Sequence, residues 1–177
     1  MFRKRFLCVL FILIASLFFF QAGQALSASF TQYHKPDEVT ELLKSYAAQF
    51  PNLAKILSIG KSYDQRDLSV IRLAAQPKES ADPDARPAVF VSANLEGSHL
   101  VGTEAALLII DKLLQEYGKD KKISALLDTR TIYIAPLLNP DAALGYFAAV
   151  RFEHSRNSRP VDEDLDDAAD EDGPDDL

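Results

Sequence analysis

PAVFVSANLEGSHLVGTE, residues 87–104, is the stretch on which the fold turns. Pro87–Ala93 is a compact apolar segment of the kind that forms a strand buried on both faces of a sheet. Asn94–His99 is short, polar and glycine-containing, and reads as a loop. From Leu100 the pattern becomes helical and runs to Tyr117, with Val101, Ala105, Leu108 and Leu113 among its apolar positions. A strand that feeds a loop and then a long helix is one unit of an α/β sheet. In such sheets ligands gather at the loops beyond strand ends.

The flanking sequence repeats this alternation. Downstream, Ile123–Leu127 is a second helical piece and TIYIAPL, residues 131–137, is another buried strand, ended by Asn139-Pro140-Asp141. Upstream, Pro36 and Asp37 open a helix over Asp37–Gln49, with Val39, Leu42, Leu43 and Tyr46 at helical spacing. Phe50-Pro51-Asn52 stops it. Ala54–Gly60 and Leu68–Ala74 read as strands joined by the polar turn Lys61–Asp67, an antiparallel hairpin. Gln76–Arg86, rich in Pro, Asp and Ala, is a surface loop. The fold class expected is α/β, a central mixed sheet flanked by helices. The loops after residues 87–93 and 131–137 are where a site belongs.

Charge divides the chain into three blocks. The 177 residues carry 19 Lys and Arg against 26 Asp and Glu, a formal net charge of −7. Residues 1–25 hold three bases and no acid, residues 26–160 are balanced, and residues 161–177 hold ten carboxylates and no base. A neutral body with a local acidic segment excludes nucleic acid as an expected partner. Arg3, Lys4 and Arg5 precede the apolar run Phe6–Phe20, and small residues follow up to Ala25. This is the pattern of a secretory signal cleaved after Ala25, which predicts a secreted or periplasmic protein. The alternative is an uncleaved anchor, which would be the chain's only membrane contact. Cys8 falls inside the run, so the segment after Ala25 has no cysteine and must rest on its core or on metal rather than on disulfides.

The segment Asn94–Glu104 resembles the zinc carboxypeptidases of the carboxypeptidase A type, in which a strand runs into an N-x-H-G-x-E loop and a long helix. Tyr33, Phe50-Pro51, Ile59-Gly60-Lys61-Ser62 and Arg66-Asp67-Leu68 resemble the opening of that family, and Pro136 with Asn139-Pro140-Asp141 resembles its P-x-x-NPDG. Arg151 to Pro160 resembles the arginine-rich segment that follows. The resemblance covers residues 33–160 and implies the front part of a carboxypeptidase-like domain, incomplete at its C-terminus. It implies zinc as cofactor and the C-termini of peptides or proteins as substrates. A separate glutamate would serve as general base.

The resemblance also exposes departures. The family's H-x-x-E pair, which supplies two zinc ligands, stands here as E-x-x-H, Glu96 and His99. The pair either retains one carboxylate and one imidazole on zinc, or is an exposed acid beside a helix N-terminal histidine, hydrogen-bonded locally. Gln65 replaces a glycine before Arg66. Arg66 is either a substrate-binding guanidinium or a surface arginine in a hairpin turn. In the arginine-rich segment His154 or Ser155 falls in the key slot, with Arg156, the second candidate for substrate binding, displaced by one or two residues. Ala142 replaces the glycine after Asp141. Glu104 reads as a solvated side chain near the helix start, and His34 as remote from every motif.

The third zinc ligand, the carboxylate-binding pair and the general base of the family lie further along than Leu177. The resemblance therefore implies that residues 1–177 alone do not assemble the family's active site, and the expectation is either a fragment or an inactive relative. The first alternative implies an exported metallocarboxypeptidase in full-length form. The second implies an extracellular module that binds peptides or cell-wall material. The acidic block 161–177 has two readings as well. It is a solvated tail, or a calcium loop in which Asp162, Asp164, Asp166 and Asp170 occupy the first, third, fifth and ninth positions. A similar Asp/Gly-rich insert follows an N-x-R-P stretch in some secreted carboxypeptidase-like proteins, and Asn157-Ser158-Arg159-Pro160 fits that stretch.

Overall fold

The computed structural model describes residues 30–76 and 82–149, with positions 157, 159, 160, 162 and 169. Residues 1–25 and nearly all of the acidic block lie outside the described residues. So do Arg156, Asp164, Asp166 and Asp170.

The elements follow in the order α1 Pro36–Gln49, β1 Ala54–Lys61, β2 Asp67–Leu73, β3 Ala88–Ser92, α2 Leu100–Glu116, α3 Lys121–Thr129, β4 Thr131–Ala135 and α4 Pro140–Tyr146. A single 3-10 turn, Pro83–Ala85, precedes β3. The four strands form one mixed sheet in the order β1-β2-β4-β3. β1 and β2 are the expected antiparallel hairpin, β2 pairs antiparallel with β4, and β3 lies parallel to β4. A parallel neighbour requires a crossover, and α2 with α3 supplies it between β3 and β4.

Local sequence explains the elements. Pro36 sits at the first turn of α1, where its missing N–H costs nothing, and Glu38 accepts the Lys35 backbone N–H at 2.8 Å. The Asp120 side chain caps α3 by accepting from the backbone of Lys122 and Ile123. Gly118, with φ +81°, ends the α2 turn in a left-handed conformation that costs a glycine little.

One face of the sheet makes the core. Alternation puts Ala54, Ile56, Ile71, Leu73, Ile132, Ile134 and Val91 on the same side, and the pairings Ile71–Ile134 and Leu73–Ile132 bring them together. Val39, Leu42, Leu43 and Tyr46 of α1 and Leu107, Ile110 and Leu114 of α2 pack on that face. Each fully buried leucine or isoleucine contributes roughly 1.5–3 kcal/mol. The two helices are linked where Tyr46 donates its hydroxyl to Asp111 at 3.1 Å. Burial and this carboxylate together push the Tyr46 phenol well above its ordinary range. The opposite face carries Arg72 and Tyr133, both of which donate to Asp84 of the 3-10 turn.

Three details go beyond the sequence reading. Among the described residues β3 lies at an edge of the sheet, with Val89 and Phe90 more than half exposed. Among the described residues nothing pairs with its outer edge or covers Phe90. Of the apolar positions named on α2, Leu113 is buried while Val101 and Leu108 face outward, and the buried stripe also takes in Leu100, Thr103, Leu107, Ile110 and Leu114. After β4 the chain does not simply turn at Asn139-Pro140-Asp141. Those residues start α4, with Asn139 at the N-cap accepting from Ala142 N at 3.3 Å.

Candidate functional site

The two loops singled out from the sequence are one structural unit. Asn94 leaves β3 with φ +55°, a left-handed conformation that asparagine tolerates better than most residues. Its side chain, buried, donates to the backbone carbonyls of Glu96 and Gly97, each at 3.2 Å. His99 N donates to Glu96 O at 3.0 Å, and the chain enters α2 with His99 at its N-cap. The backbone of residues 94–99 is thereby closed into a tight bend. From the second loop, Asn139 donates to Leu95 O at 3.3 Å and Leu138 N donates to Ala93 O at 3.2 Å. Gly97 packs directly on α4. A Cβ at that position would lie 2.7 Å from the carbonyl carbon of Ala142 and 2.9 Å from its Cα.

On this bend the side chains of Glu96 and His99 converge. His99 Nδ1 lies 3.3 Å from Glu96 Oε2, and both side chains are well exposed. Two N and O donors at about 2.0–2.2 Å from a tetrahedral zinc stand roughly 3.4 Å apart. The observed separation matches that edge, so the swapped pair has the donor chemistry and spacing for two positions on such a metal. The same separation also serves a local imidazole–carboxylate contact. Among the described residues no group of three or more His, Cys, Asp or Glu converges as a metal site.

Arg66 is engaged at the β1–β2 turn. Its guanidinium donates to Asp141 Oδ1 at 2.7 Å and to Asp64 Oδ2 at 2.9 Å, so the hairpin turn is tied to α4. Asp141 is fully buried at its side chain and also accepts from Ser62 Oγ at 2.8 Å and Asp64 N at 3.1 Å. Burial alone would push this carboxyl up. The Asp64 N–H, the Ser62 hydroxyl and the Arg66 guanidinium outweigh it, and the group sits below the usual carboxylate range.

Glu104 is not a solvated side chain. It accepts the His34 backbone N–H at 2.8 Å and faces His34 Nδ1 at 2.8 Å, with both side chains 14% exposed. The histidine that looked remote in sequence is fastened to α2. Sequence reasoning missed Asn94, Gly97, Asn139 and Asp141 as the parts that shape and hold the loop. The available signals were a polar residue at each strand end and a glycine between two candidate ligands. Asp162, the one candidate calcium ligand among the described residues, is half-buried.

The family model described as zinc carboxypeptidase matches residues 39–161. A zinc carboxypeptidase of Saccharothrix mutabilis subsp. capreolus is 32% identical over 146 residues, covering 80% of this chain and 33% of that protein. Mouse carboxypeptidase M is 36% identical over 110 residues, covering 62% of this chain and 24% of its own length. The chain thus spans about a third or less of these relatives. Among solved structures, the carboxypeptidase A of Helicoverpa armigera superposes with a TM-score of 0.66 at 24% identity, over 89% of this chain and 36% of that one. Thrombin activatable fibrinolysis inhibitor superposes with a TM-score of 0.68 at 21% identity, over 81% of this chain and 34% of its own. Both likenesses are of fold.

Proposed function

Since this chain belongs to the zinc carboxypeptidase family, we propose that it forms the front part of an exported metallocarboxypeptidase that hydrolyses C-terminal peptide bonds. The observation that carries this is the convergence of Glu96 and His99 at 3.3 Å on the bend that leaves β3. Glu96 would supply a carboxylate oxygen and His99 an imidazole nitrogen, the two ligand types of the family in exchanged order. Held by Glu96 and His99, a zinc ion would supply Lewis-acid polarisation of the scissile carbonyl and a water whose pKa is lowered to about 7. The bend itself supplies rigidity: Asn94 fixes the backbone on the inside and Ala142 limits it on the outside. Arg66 acts as a tie to Asp141 in this reading.

Export through residues 1–25, and calcium bound by Asp162, Asp164, Asp166 and Asp170, belong to the same proposal and rest on sequence. N-terminal sequencing of the secreted protein tests the first. Calorimetry with calcium tests the second, and no heat at millimolar calcium overturns it.

A catalytically inactive binding module is the second reading, favoured by one observation: the two ligand types stand in exchanged order, Glu96 before His99. Metal analysis and peptide hydrolysis by the full-length protein beside E96A and H99A separate the two. Zinc near one equivalent, lost in both variants together with hydrolysis, supports the enzyme. Zinc content that neither variant changes removes the swapped pair as a metal site. Zinc without hydrolysis of any peptide C-terminus supports the binding module.

A further inference from the structure

Asp141 ties together two parts of the molecule that the zinc chemistry does not itself require to touch. Its side chain is fully buried, and three donors from one turn converge on it: Ser62 Oγ, Asp64 N and Arg66 Nη1. A buried carboxylate is tolerated only when paired and hydrogen-bonded. The β1–β2 turn meets that requirement and is locked onto the first turn of α4. The next residue, Ala142, is the one against which Gly97 packs, and Gly97 lies between Glu96 and His99. Asn139, at the N-cap of the same short helix, holds Leu95 O. The contacts therefore run without a gap from the hairpin turn through Asp141 and α4 to the bend that carries the candidate ligands.

We infer that Asp141 is a positioning residue for the metal-binding bend, fixing α4 so that Glu96 and His99 are held at ligand spacing. The inference rests on the zinc reading proposed above. Metal ligands depend on such support because donor distances tolerate only a few tenths of an ångström; loss of a group bonded directly to a ligand typically weakens metal binding 10- to 100-fold, and Asp141 acts one step further out, through Ala142 and Gly97.

The test uses the full-length protein and compares wild type with D141N, S62A and R86Q. Arg86 is a stability control at the opposite end of β3. It donates to Ala75 O and Leu127 O, away from the bend. Zinc affinity is read by chelator competition, the cobalt(II)-substituted protein is read by its absorption bands, and thermal melting is followed alongside. The expected result is a zinc Kd weakened about 10-fold in D141N, the lower end of that range, with altered cobalt bands. S62A shifts both in the same direction by less, while R86Q melts earlier and keeps the wild-type Kd. If D141N and S62A melt earlier but bind zinc within twofold of wild type, Asp141 is only structural and the zinc reading stands. If wild type binds no zinc, or E96A and H99A bind it equally well, the zinc reading falls and the positioning role with it. If D141N does not fold, S62A decides on the same criteria.

Discussion

Gly97 lies against Ala142, and this close approach joins the loop after β3 to the helix after β4. There is no room at residue 97 for a side chain: an added Cβ would press on the Cα and carbonyl carbon of Ala142 at 2.9 and 2.7 Å. Gly97→Ala is expected to cost about 1–3 kcal/mol, the usual range for overpacking. Denaturant titration measures it. Because the clash includes backbone atoms, adding Ala142→Gly should recover only part of the loss; full recovery would show that the Ala142 methyl alone sets the fit.

Acid should loosen the same region. The Asp141 carboxyl is held below its ordinary range, so the folded state binds its proton less readily than the unfolded chain does. Its contribution is fully present above about pH 4, the ordinary carboxylate value, and disappears as pH falls through the lower folded value. In D141N the stability lost over that acid window should shrink relative to wild type. Unfolding free energies measured from pH 7 down to pH 2 would show it. Parallel curves for the two proteins would contradict the assignment.

Gln65 adopts φ +64° in the turn before Arg66, a left-handed conformation that penalises any residue with a Cβ. Gln65→Gly should therefore stabilise the protein by roughly 0.5–1 kcal/mol, the relief of strain exceeding the extra entropy of an unfolded glycine. The substitution keeps the backbone carbonyl that accepts from Lys61. A shift of the denaturation midpoint to lower denaturant would refute the prediction.

Glu104 satisfies both the backbone N–H and the ring of His34 in a largely enclosed setting. Removing the carboxylate strands the His34 N–H, and Glu104→Ala should cost about 1–3 kcal/mol. Hydrogen exchange adds a local readout: the His34 amide should lose protection in the variant, while amides in the middle of β4 change only by the global loss of stability.

The alternation of strands and helices, the hairpin, and the two loops beyond the strand ends could be read from near-neighbour patterns alone. These depend on hydrophobic period, on turn residues such as Phe50-Pro51-Asn52 and Asn139-Pro140, and on chain order, all of which act between near neighbours. The closeness of Glu96 and His99 could be read in the same way, because a three-residue step is local. The fold selected which partners distant residues find. It set the strand order β1-β2-β4-β3, which depends on long-range pairing. It turned α2 so that Leu107 and Ile110 are buried while Val101 and Leu108 are exposed, a choice that a helix apolar on several sides leaves open. It gave Arg66 to Asp141 across 75 positions and His34 to Glu104 across 70. Charges and polar atoms pair with whatever the fold brings within about 3 Å, and a local pattern carries no record of that partner.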